Sequence, residues 1–450
     1  MKRPAYRQRE LPSDTSLLAI HRGAPDRWPF LLASSASAGA LGRWSILLRA
    51  DEATLALWPG SRGLVGPGTS ETFLGRLKEW SEANKTAGGA GLPFSGGWFV
   101  YLGYELAAEI EPKPEFPAAA DDLPVAFAQR CRCAVVHDHR DDRGWLIGED
   151  EAVVDTALAE INELTRPESS PPDSPDFRIS ADPGEHFTAG VGKIKQWILD
   201  GDVFQANLSR AWRGHSDQEI DPASLYAALA RANPAPFAAL AKMPGGTVVS
   251  SSPERLVEVR DGCVQTRPIA GTRPRGASEG LDASLSRELM SHPKERAEHI
   301  MLIDLERNDL GRVCETGSVE VDELMVIESY AHVHHIVSNV RGRLRKGMHA
   351  TDVIAAVFPG GTITGCPKVR CMEIIAELER QGRSFYTGAL GYLGRDGSLD
   401  LNILIRSMLV SGKQLSFRTG AGIVADSDPD AELAETVAKA RGMLRALGHD

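Results

Sequence analysis

Short β-like runs recur along the whole chain without the regular strand and helix alternation of a parallel α/β protein, and this pattern limits the possible folds most. Each run is bounded by Gly, Pro or Asp, and the clearest are residues 45–48, 97–102, 131–137, 247–251 and 399–410. Helical periodicity lies between the later runs, at residues 191–198, 289–303, 353–358 and 433–447. The mixture predicts an α+β fold with a large antiparallel sheet.

One segment of low complexity divides the chain. Residues 166–175 read RPESSPPDSP, in which proline removes backbone donors and serine and aspartate favour turns. We expect a surface linker over residues 166–180, between a strand-rich region at 1–165 and a second region at 181–450.

Composition and charge exclude several classes of protein. The chain has 450 residues, 42% of them hydrophobic, which is enough to bury a sizeable core. Its 50 Lys and Arg against 61 Asp and Glu give a net charge of −11, which argues against general binding of nucleic acid or an anionic membrane. No run of 18 apolar residues is present, and none of the six cysteines forms a C-x-x-C pair. We therefore expect a cytoplasmic protein with reduced thiols and no membrane span.

Two pairs of glutamates have the spacing of one helix face. Glu295 and Glu298 lie three residues apart, as do Glu432 and Glu435. Two such faces brought together suit Mg²⁺, which prefers oxygen ligands, whereas solvated helix faces are the plainer alternative. Lys439 follows Glu435 by four residues and could hold a substrate carboxylate or form a surface ion pair.

Two glycine-rich segments are candidate anion sites. Residues 358–368, FPGGTITGCPK, lack the Lys-Ser or Lys-Thr ending of a phosphate loop, but a glycine turn before a helix still presents free amides. Residues 420–425, GAGIVA, match part of a dinucleotide fingerprint, so a nucleotide-binding oxidoreductase is the rival class. The sequence offers no second strand for the ribose-binding acid, and a small anion is the better ligand.

The histidine cluster His332, His334 and His335 has no cysteine or second histidine pair at metal spacing. One of the three is a candidate general base, and the others are expected to be structural.

Several ordered motifs together resemble the chorismate-binding enzyme family, which includes anthranilate, aminodeoxychorismate, isochorismate and salicylate synthases. The motifs are GDVFQANLSR at 201–210, SPER at 252–255, RPIAGTRPR at 267–275, DLERNDLGR at 304–312, the glycine loop at 358–368 and GAGIVAD at 420–426. The resemblance is strongest over residues 201–447.

This resemblance implies two facing antiparallel β-sheets with helices packed outside, enclosing the site. It implies Glu298 and Glu435 as Mg²⁺ ligands with Glu295 and Glu432 beside them, Glu254 as general acid and His335 as base. The expected holders of the substrate carboxylates are Thr364, Lys368, Tyr392, Arg406, Lys439 and the amides around Gly420 and Gly422.

The choice of nucleophile turns on Gln205. Family members that add water resemble one another in carrying Lys at this position, and Gln cannot act as a base, so ammonia is the expected nucleophile. The Gly360-Gly361 loop and the His334-His335 pair resemble the branch that makes 4-amino-4-deoxychorismate for 4-aminobenzoate and folate, and we expect that activity. Ala270 resembles the anthranilate-forming branch, which is the alternative. An inactive chorismate-binding relative is the non-enzyme alternative.

Two partners are expected besides chorismate and ammonia. The chain carries no Gly-x-Cys-x-Gly glutaminase motif, so a separate glutamine amidotransferase should supply the ammonia. Residues 31–34 and 42–45 resemble the segment that forms a tryptophan pocket in the family, and tryptophan is a candidate ligand of the N-terminal region.

Overall fold

The computed structural model describes residues 6–34, 42–86, 91–164, 175–276, 278–291, 293–329 and 333–449. Its strands are β1 Arg7–Leu11, β2 Phe30–Ala33, β3 Trp44–Arg49, β4 Thr54–Trp58, β5 Gly63–Val65, β6 Gly97–Leu102, β7 Ala126–Cys131, β8 Cys133–Asp138, β9 Arg143–Gly148, β10 Arg178–Ala181, β11 Gln205–His215, β12 Phe237–Met243, β13 Gly246–Ser252, β14 Arg255–Arg260, β15 Cys263–Thr266, β16 Ile269–Pro274, β17 Glu320–Ser329, β18 Val333–Arg343, β19 Gly365–Cys366, β20 Ala389–Gly394, β21 Leu399–Asn402, β22 Ser407–Ser411 and β23 Gln414–Ile423. Its helices are α1 Leu17–Gly23, α2 Phe73–Ala83, α3 Ala107–Ile110, α4 Glu151–Leu164, α5 Gly184–Leu199, α6 Pro222–Ala232, α7 Glu279–Ser291, α8 Pro293–Gly311, α9 Ala350–Val357, α10 Lys368–Glu379 and α11 Pro429–Ala446.

The strands form two sheets in the described part of the chain. The first has the order β1-β9-β8-β3-β2-β12-β13-β22-β23-β11-β10, with β19 paired to β11. The second has the order β16-β18-β15-β14-β21-β20-β6-β7-β4-β5, with β17 paired to β18. Every pairing recorded between these strands is antiparallel.

The two sheets face each other across a shared core. Phe30 of β2 stacks on Phe99 of β6 with 3.7 Å between ring centroids, and buried side chains of both sheets surround this pair. Residues of α4, α6 and α11 cover the outer face of the first sheet, and residues of α2 and α9 cover that of the second. Burial of apolar area on both faces of each sheet is the main stabilising contribution. The expected α+β fold of two facing antiparallel sheets with outer helices is confirmed.

Strands from before and after the expected linker lie side by side in both sheets. β2 pairs with β12 in the first sheet, and β6 pairs with β20 in the second. Of the expected linker at 166–180, residues 166–174 lie outside the described ranges and β10 begins at Arg178. The division into 1–165, 166–180 and 181–450 stays a prediction, and it does not separate two independent sheets.

Local sequence signals set the starts of two helices around the site. Asp221 caps α6 and Asp428 caps α11, and each is followed by proline at the first helical position. Two expected elements are divided. Residues 289–303 belong to α7 and α8, the second of which starts at Pro293, and residues 399–410 form β21 and β22 with a break that contains Arg406 at φ 52°.

Among the residues described, no helix combines the length and the apolar character needed to cross a membrane.

Candidate active site

One wall of the candidate site is the pair of strands β11 and β23, where glycine allows a close approach of side chains. Asn207 is paired with Gly422, and Ser209 with Gly420. A Cβ atom on Gly420 would lie 2.9 Å from the Tyr386 hydroxyl and 3.0 Å from Asn207 Oδ1, and a Cβ atom on Gly422 would collide with the Gln205 amide. Both glycines are therefore required where these side chains converge.

Two buried polar atoms around this wall have no hydrogen-bond partner. They are Gln205 Oε1 and Asn207 Oδ1. Buried polar atoms are normally hydrogen-bonded, because an unpaired one keeps its full desolvation cost. Two of them on one strand are typical of a site whose partners arrive with a ligand.

The glycine loop forms the next wall. Gly365 has φ 130°, and a side chain there would collide with the carbonyl of Gln205 where β19 meets β11. The Thr364 hydroxyl donates to the carbonyl oxygen of Gly360 at 2.9 Å, so it stabilises the loop. The Thr362 hydroxyl instead lies beside the carboxyl group of Glu254. Thr362 is therefore the threonine of the loop that lies nearest Glu254, and the expected contact of Thr364 with the substrate stays a prediction.

Glu254 lies between β13 and β14 and is only 5% exposed. Burial raises the pKa of its carboxyl group to about 7, although Thr362, the N–H of Ile269 and two cations lower it in part. The cations are Arg406 and Lys439. A carboxyl group with this pKa is protonated in about half of the molecules at neutral pH, which suits a general acid.

Cationic and neutral nitrogen groups surround Glu254. Lys439 Nζ lies 3.0 Å from the carbonyl oxygen of Gly420 and 2.6 Å from Glu435. Burial lowers the pKa of Arg406, which lies near both Glu254 and Glu435. Burial and Arg406 together lower the pKa of His335 to about 4, so this imidazole is neutral at pH 7 and a weak base.

Two expected substrate residues have other partners. Lys368 Nζ lies 2.6 Å from Asp309 and 3.3 Å from the carbonyl oxygen of Val357, so a buried ion pair occupies it. Tyr392 packs edge-on against Phe94 in a different cavity.

Tyr386 is the tyrosine at the site, and the sequence analysis missed it. Its hydroxyl approaches Gly420, and its electrostatic neighbours include Arg406. Tyr386 precedes β20 and Tyr392 lies within it, so a strand pattern alone could not show which one faces the glycines.

The four glutamates expected to bind Mg²⁺ lie on α8 and α11, and their carboxylates are donors of the type that Mg²⁺ takes. Glu295 pairs with Arg273 at 3.1 Å, Glu432 accepts a hydrogen bond from Ser427 at 2.6 Å, and Glu435 pairs with Lys439. Within the described ranges no three His, Cys, Asp or Glu side chains are grouped to hold a metal ion. Two protein carboxylates with substrate and water suffice for Mg²⁺ in many sites, so a site at Glu298 and Glu435 stays a prediction.

Comparison with known proteins decides the family. The family profile described as chorismate binding enzyme matches residues 34–445. The chain belongs to the chorismate-binding enzyme family. Members of this family act on chorismate, so the carboxyl, guanidinium and ammonium groups around Glu254 belong to a chorismate-utilising enzyme.

The chain is similar to relatives that are named for two different activities. An anthranilate synthase component I-like protein from Synechocystis is 48% identical, over 79% of this chain and 73% of that protein. Aminodeoxychorismate synthase component 1 from Bacillus subtilis is 39% identical, over 99% of this chain and 97% of that protein. The crystal structure of anthranilate synthase component I from Streptococcus pneumoniae has a TM-score of 0.80 at 30% identity, covering 90% of this chain and 93% of that one.

A second cavity of the enzyme, about 670 Å³ in volume, lies between the two sheets. Its lining includes Ala33 and Trp44, from the segments that resemble a tryptophan pocket, and Tyr392. The bidentate ion pair of Arg255 and Asp400, with two contacts of 2.9 Å, lies in its wall. This cavity is distinct from the site around Glu254.

Proposed function

We propose that this protein is component I of an aminodeoxychorismate synthase, which converts chorismate and ammonia to 4-amino-4-deoxychorismate for the synthesis of 4-aminobenzoate and folate. The observation that supports ammonia as the nucleophile is the buried carboxamide of Gln205, whose carbonyl oxygen lacks a partner beside Gly422. A carboxamide can accept a hydrogen bond from ammonia but cannot deprotonate water. Ammonia needs no such activation because it is already nucleophilic.

Glu254 acts as the general acid in this proposal. The C4 hydroxyl of chorismate leaves with the proton of the Glu254 carboxyl group as water, while the nitrogen of ammonia forms the new bond to carbon. The added ammonia must then lose a proton; His335 is the proposed acceptor, and because its pKa of about 4 makes it a weak base, it would pass the proton on to water or a second ammonia molecule. Chorismate and ammonia thus give the amino product and water, with no oxidant or reductant required.

The substrate carboxylates meet the cationic groups of the site. Lys439 and Arg406 supply positive charge, and the Tyr386 and Thr362 hydroxyls supply donors. Glu298 and Glu435 would hold Mg²⁺, with Glu295 and Glu432 beside them. The bound ion would supply charge that offsets a substrate carboxylate.

One observation favours amination at C4, and two favour the alternative. The loop at 358–368 resembles the aminodeoxychorismate synthase branch, whereas full-length similarity is shared by the B. subtilis aminodeoxychorismate synthase and an anthranilate synthase component 1. Ala270, buried on β16, and the Synechocystis relative favour anthranilate synthase component I, which is the second candidate.

Two partners belong to this proposal. A separate glutamine amidotransferase supplies ammonia, so glutamine should support turnover only when that protein is added. The 670 Å³ cavity is large enough for one amino acid of the size of tryptophan, and we propose tryptophan as its ligand.

The deciding experiment is product identification after incubation with chorismate, Mg²⁺ and ammonium. The proposal expects a product that becomes 4-aminobenzoate only when a lyase is added. Fluorescent anthranilate with an equal amount of pyruvate would establish the second candidate instead. No consumption of chorismate under any of these conditions would contradict both.

A further inference from the structure

A buried guanidinium group lies behind the candidate site and touches both of its walls. Arg383 is 2% exposed. It donates to the carbonyl oxygen of Asn207 on β11 at 2.7 Å and to that of Ile363 in the glycine loop at 3.1 Å. Asn207 carries one of the unpaired polar atoms at the site, and Thr362, the neighbour of Ile363, lies beside the Glu254 carboxyl group.

Glu379, the last residue of α10, fixes the orientation of this guanidinium. It accepts from Arg383 Nε at 3.0 Å and from a second Arg383 nitrogen at 2.7 Å. The same carboxylate accepts from the N–H and the hydroxyl of Ser209, both at 2.8 Å. Burial alone would raise the pKa of Glu379, but Arg383 and Arg418 hold it below its ordinary value, so the carboxylate is ionised.

Arg383 also lies against the tyrosine of the site. Its guanidinium carbon is 5.6 Å from the centroid of the Tyr386 ring and 5.0 Å from that of Tyr104. A planar group with five donors can hold two carbonyls and a carboxylate at once, which an ammonium group cannot do with the same geometry.

We propose that Arg383 is a positioning residue that sets the distance between the Asn207 and Thr362 walls and thereby the fit of chorismate. This inference rests on the site assigned in the proposed function. Arg383 touches no reacting atom, and it acts through the two carbonyls.

Arg418 provides a matched control. It lies on β23 and binds the same Glu379 carboxylate at 2.8 Å, and its Nε donates to the Ser209 hydroxyl at 3.0 Å. It is also buried, at 7% exposure, but none of its recorded hydrogen bonds reaches the carbonyl of a residue that faces the site. Arg418→Lys therefore disturbs the same ion-pair network while the carbonyls of Asn207 and Ile363 keep their Arg383 donors.

The test compares Arg383→Lys with Arg418→Lys at a temperature where both are folded by near-ultraviolet circular dichroism. Arg383→Lys should lower kcat/KM for chorismate about 100-fold, with KM raised, because a displacement of about 1 Å can cost that much. Arg418→Lys should keep kcat/KM within a factor of about three. Equal falls in the two variants would overturn the proposal, since they would show only a loss of stability.

A double-mutant cycle tests the route of the effect. If Arg383 acts through Asn207, Arg383→Lys should cost much less kcat/KM in an Asn207→Ala background than in the wild type. Additive losses would overturn the proposal. If Arg383→Lys does not fold, Glu379→Gln takes its place in the same cycle, because the remaining amide oxygen can still accept from Ser209.

Chorismate consumption is the readout in each case, so the comparison holds whichever amination product forms. Wild-type protein that consumes no chorismate would overturn the proposed function and the role of Arg383 with it, whereas an active wild type with equal falls in the two variants would overturn the role of Arg383 alone.

Discussion

Lys439 donates a hydrogen bond to the carbonyl oxygen of Gly420, with 3.0 Å between the two atoms. The same ammonium pairs with Glu435 at 2.6 Å, one helical turn away on α11. This contact holds the ammonium group of Lys439 beside Gly420, where the side chains of Tyr386 and Asn207 converge.

Replacing Lys439 by Gln should raise KM for chorismate about 10-fold to 100-fold, because one charge-assisted hydrogen bond contributes about 1.5–3 kcal/mol. Lys413→Gln is the matched control, since Lys413 also donates to a backbone carbonyl, that of Asp217 at 2.9 Å, but is exposed. Steady-state kinetics with varied chorismate measures both. An unchanged KM in the Lys439 variant would remove this residue from the site.

Glu254→Gln should lower kcat by about 100-fold to 10,000-fold while KM changes little, because only the proton donor is lost. Glu258→Gln serves as the control, since Glu258 lies on β14 in the wall of the other cavity. Single-turnover measurements with saturating chorismate separate chemistry from binding. A normal rate in the Glu254 variant would assign the acid role elsewhere.

The pKa of Glu254 gives a pH dependence with a defined sign. Burial raises this pKa from 4.5 to about 7, so the acid is present below pH 7 and is lost above it. With the concentration of uncharged ammonia held constant, kcat should fall as pH rises through about 7. The same shift makes the contribution of Glu254 to stability complete below about pH 4.5 and lost as pH rises through 7. Urea unfolding of Glu254→Gln should show a flatter pH dependence over that interval.

Tyr386 and Tyr392 can be distinguished by the loss of one oxygen atom from each. Tyr386→Phe should raise KM for chorismate about 10-fold, because its hydroxyl approaches Gly420 at the site. Tyr392→Phe should leave chorismate kinetics within a factor of about two and change only the binding of tryptophan to the 670 Å³ cavity. Steady-state kinetics with chorismate and calorimetric titration with tryptophan measure the two effects on both variants. The reverse pattern would restore Tyr392 to the site.

The proposed magnesium site predicts that EDTA abolishes turnover and that added Mg²⁺ restores it. Glu298→Gln and Glu435→Gln should each raise the Mg²⁺ concentration needed for half-maximal rate, because each removes a charged oxygen ligand. Glu377→Gln, the same substitution at a glutamate on α10, should leave that Mg²⁺ concentration unchanged. Calorimetric titration of Mg²⁺ provides a readout independent of activity, and full activity in EDTA would contradict the prediction.

The sequence was sufficient for the fold class and for several of the strands and helices, and it supplied Glu254 as the predicted general acid. Short β-like runs bounded by glycine located β6 and β13 within about one residue, because strands buried on both faces leave a continuous run rather than an alternation. The prediction for Glu254 followed from the SPER motif of the family resemblance, which the structure places between β13 and β14.

Tertiary structure decided which side chains share the site. Thr362 and Thr364 lie in one loop, and only the folded loop shows that the Thr364 hydroxyl is used by Gly360. Arg383 carried no sequence signal of its own, because its partners Asn207 and Ile363 lie far from it in the chain. Spacing along one element fixes which face a residue occupies, whereas the distance between elements depends on how the sheets pair and pack.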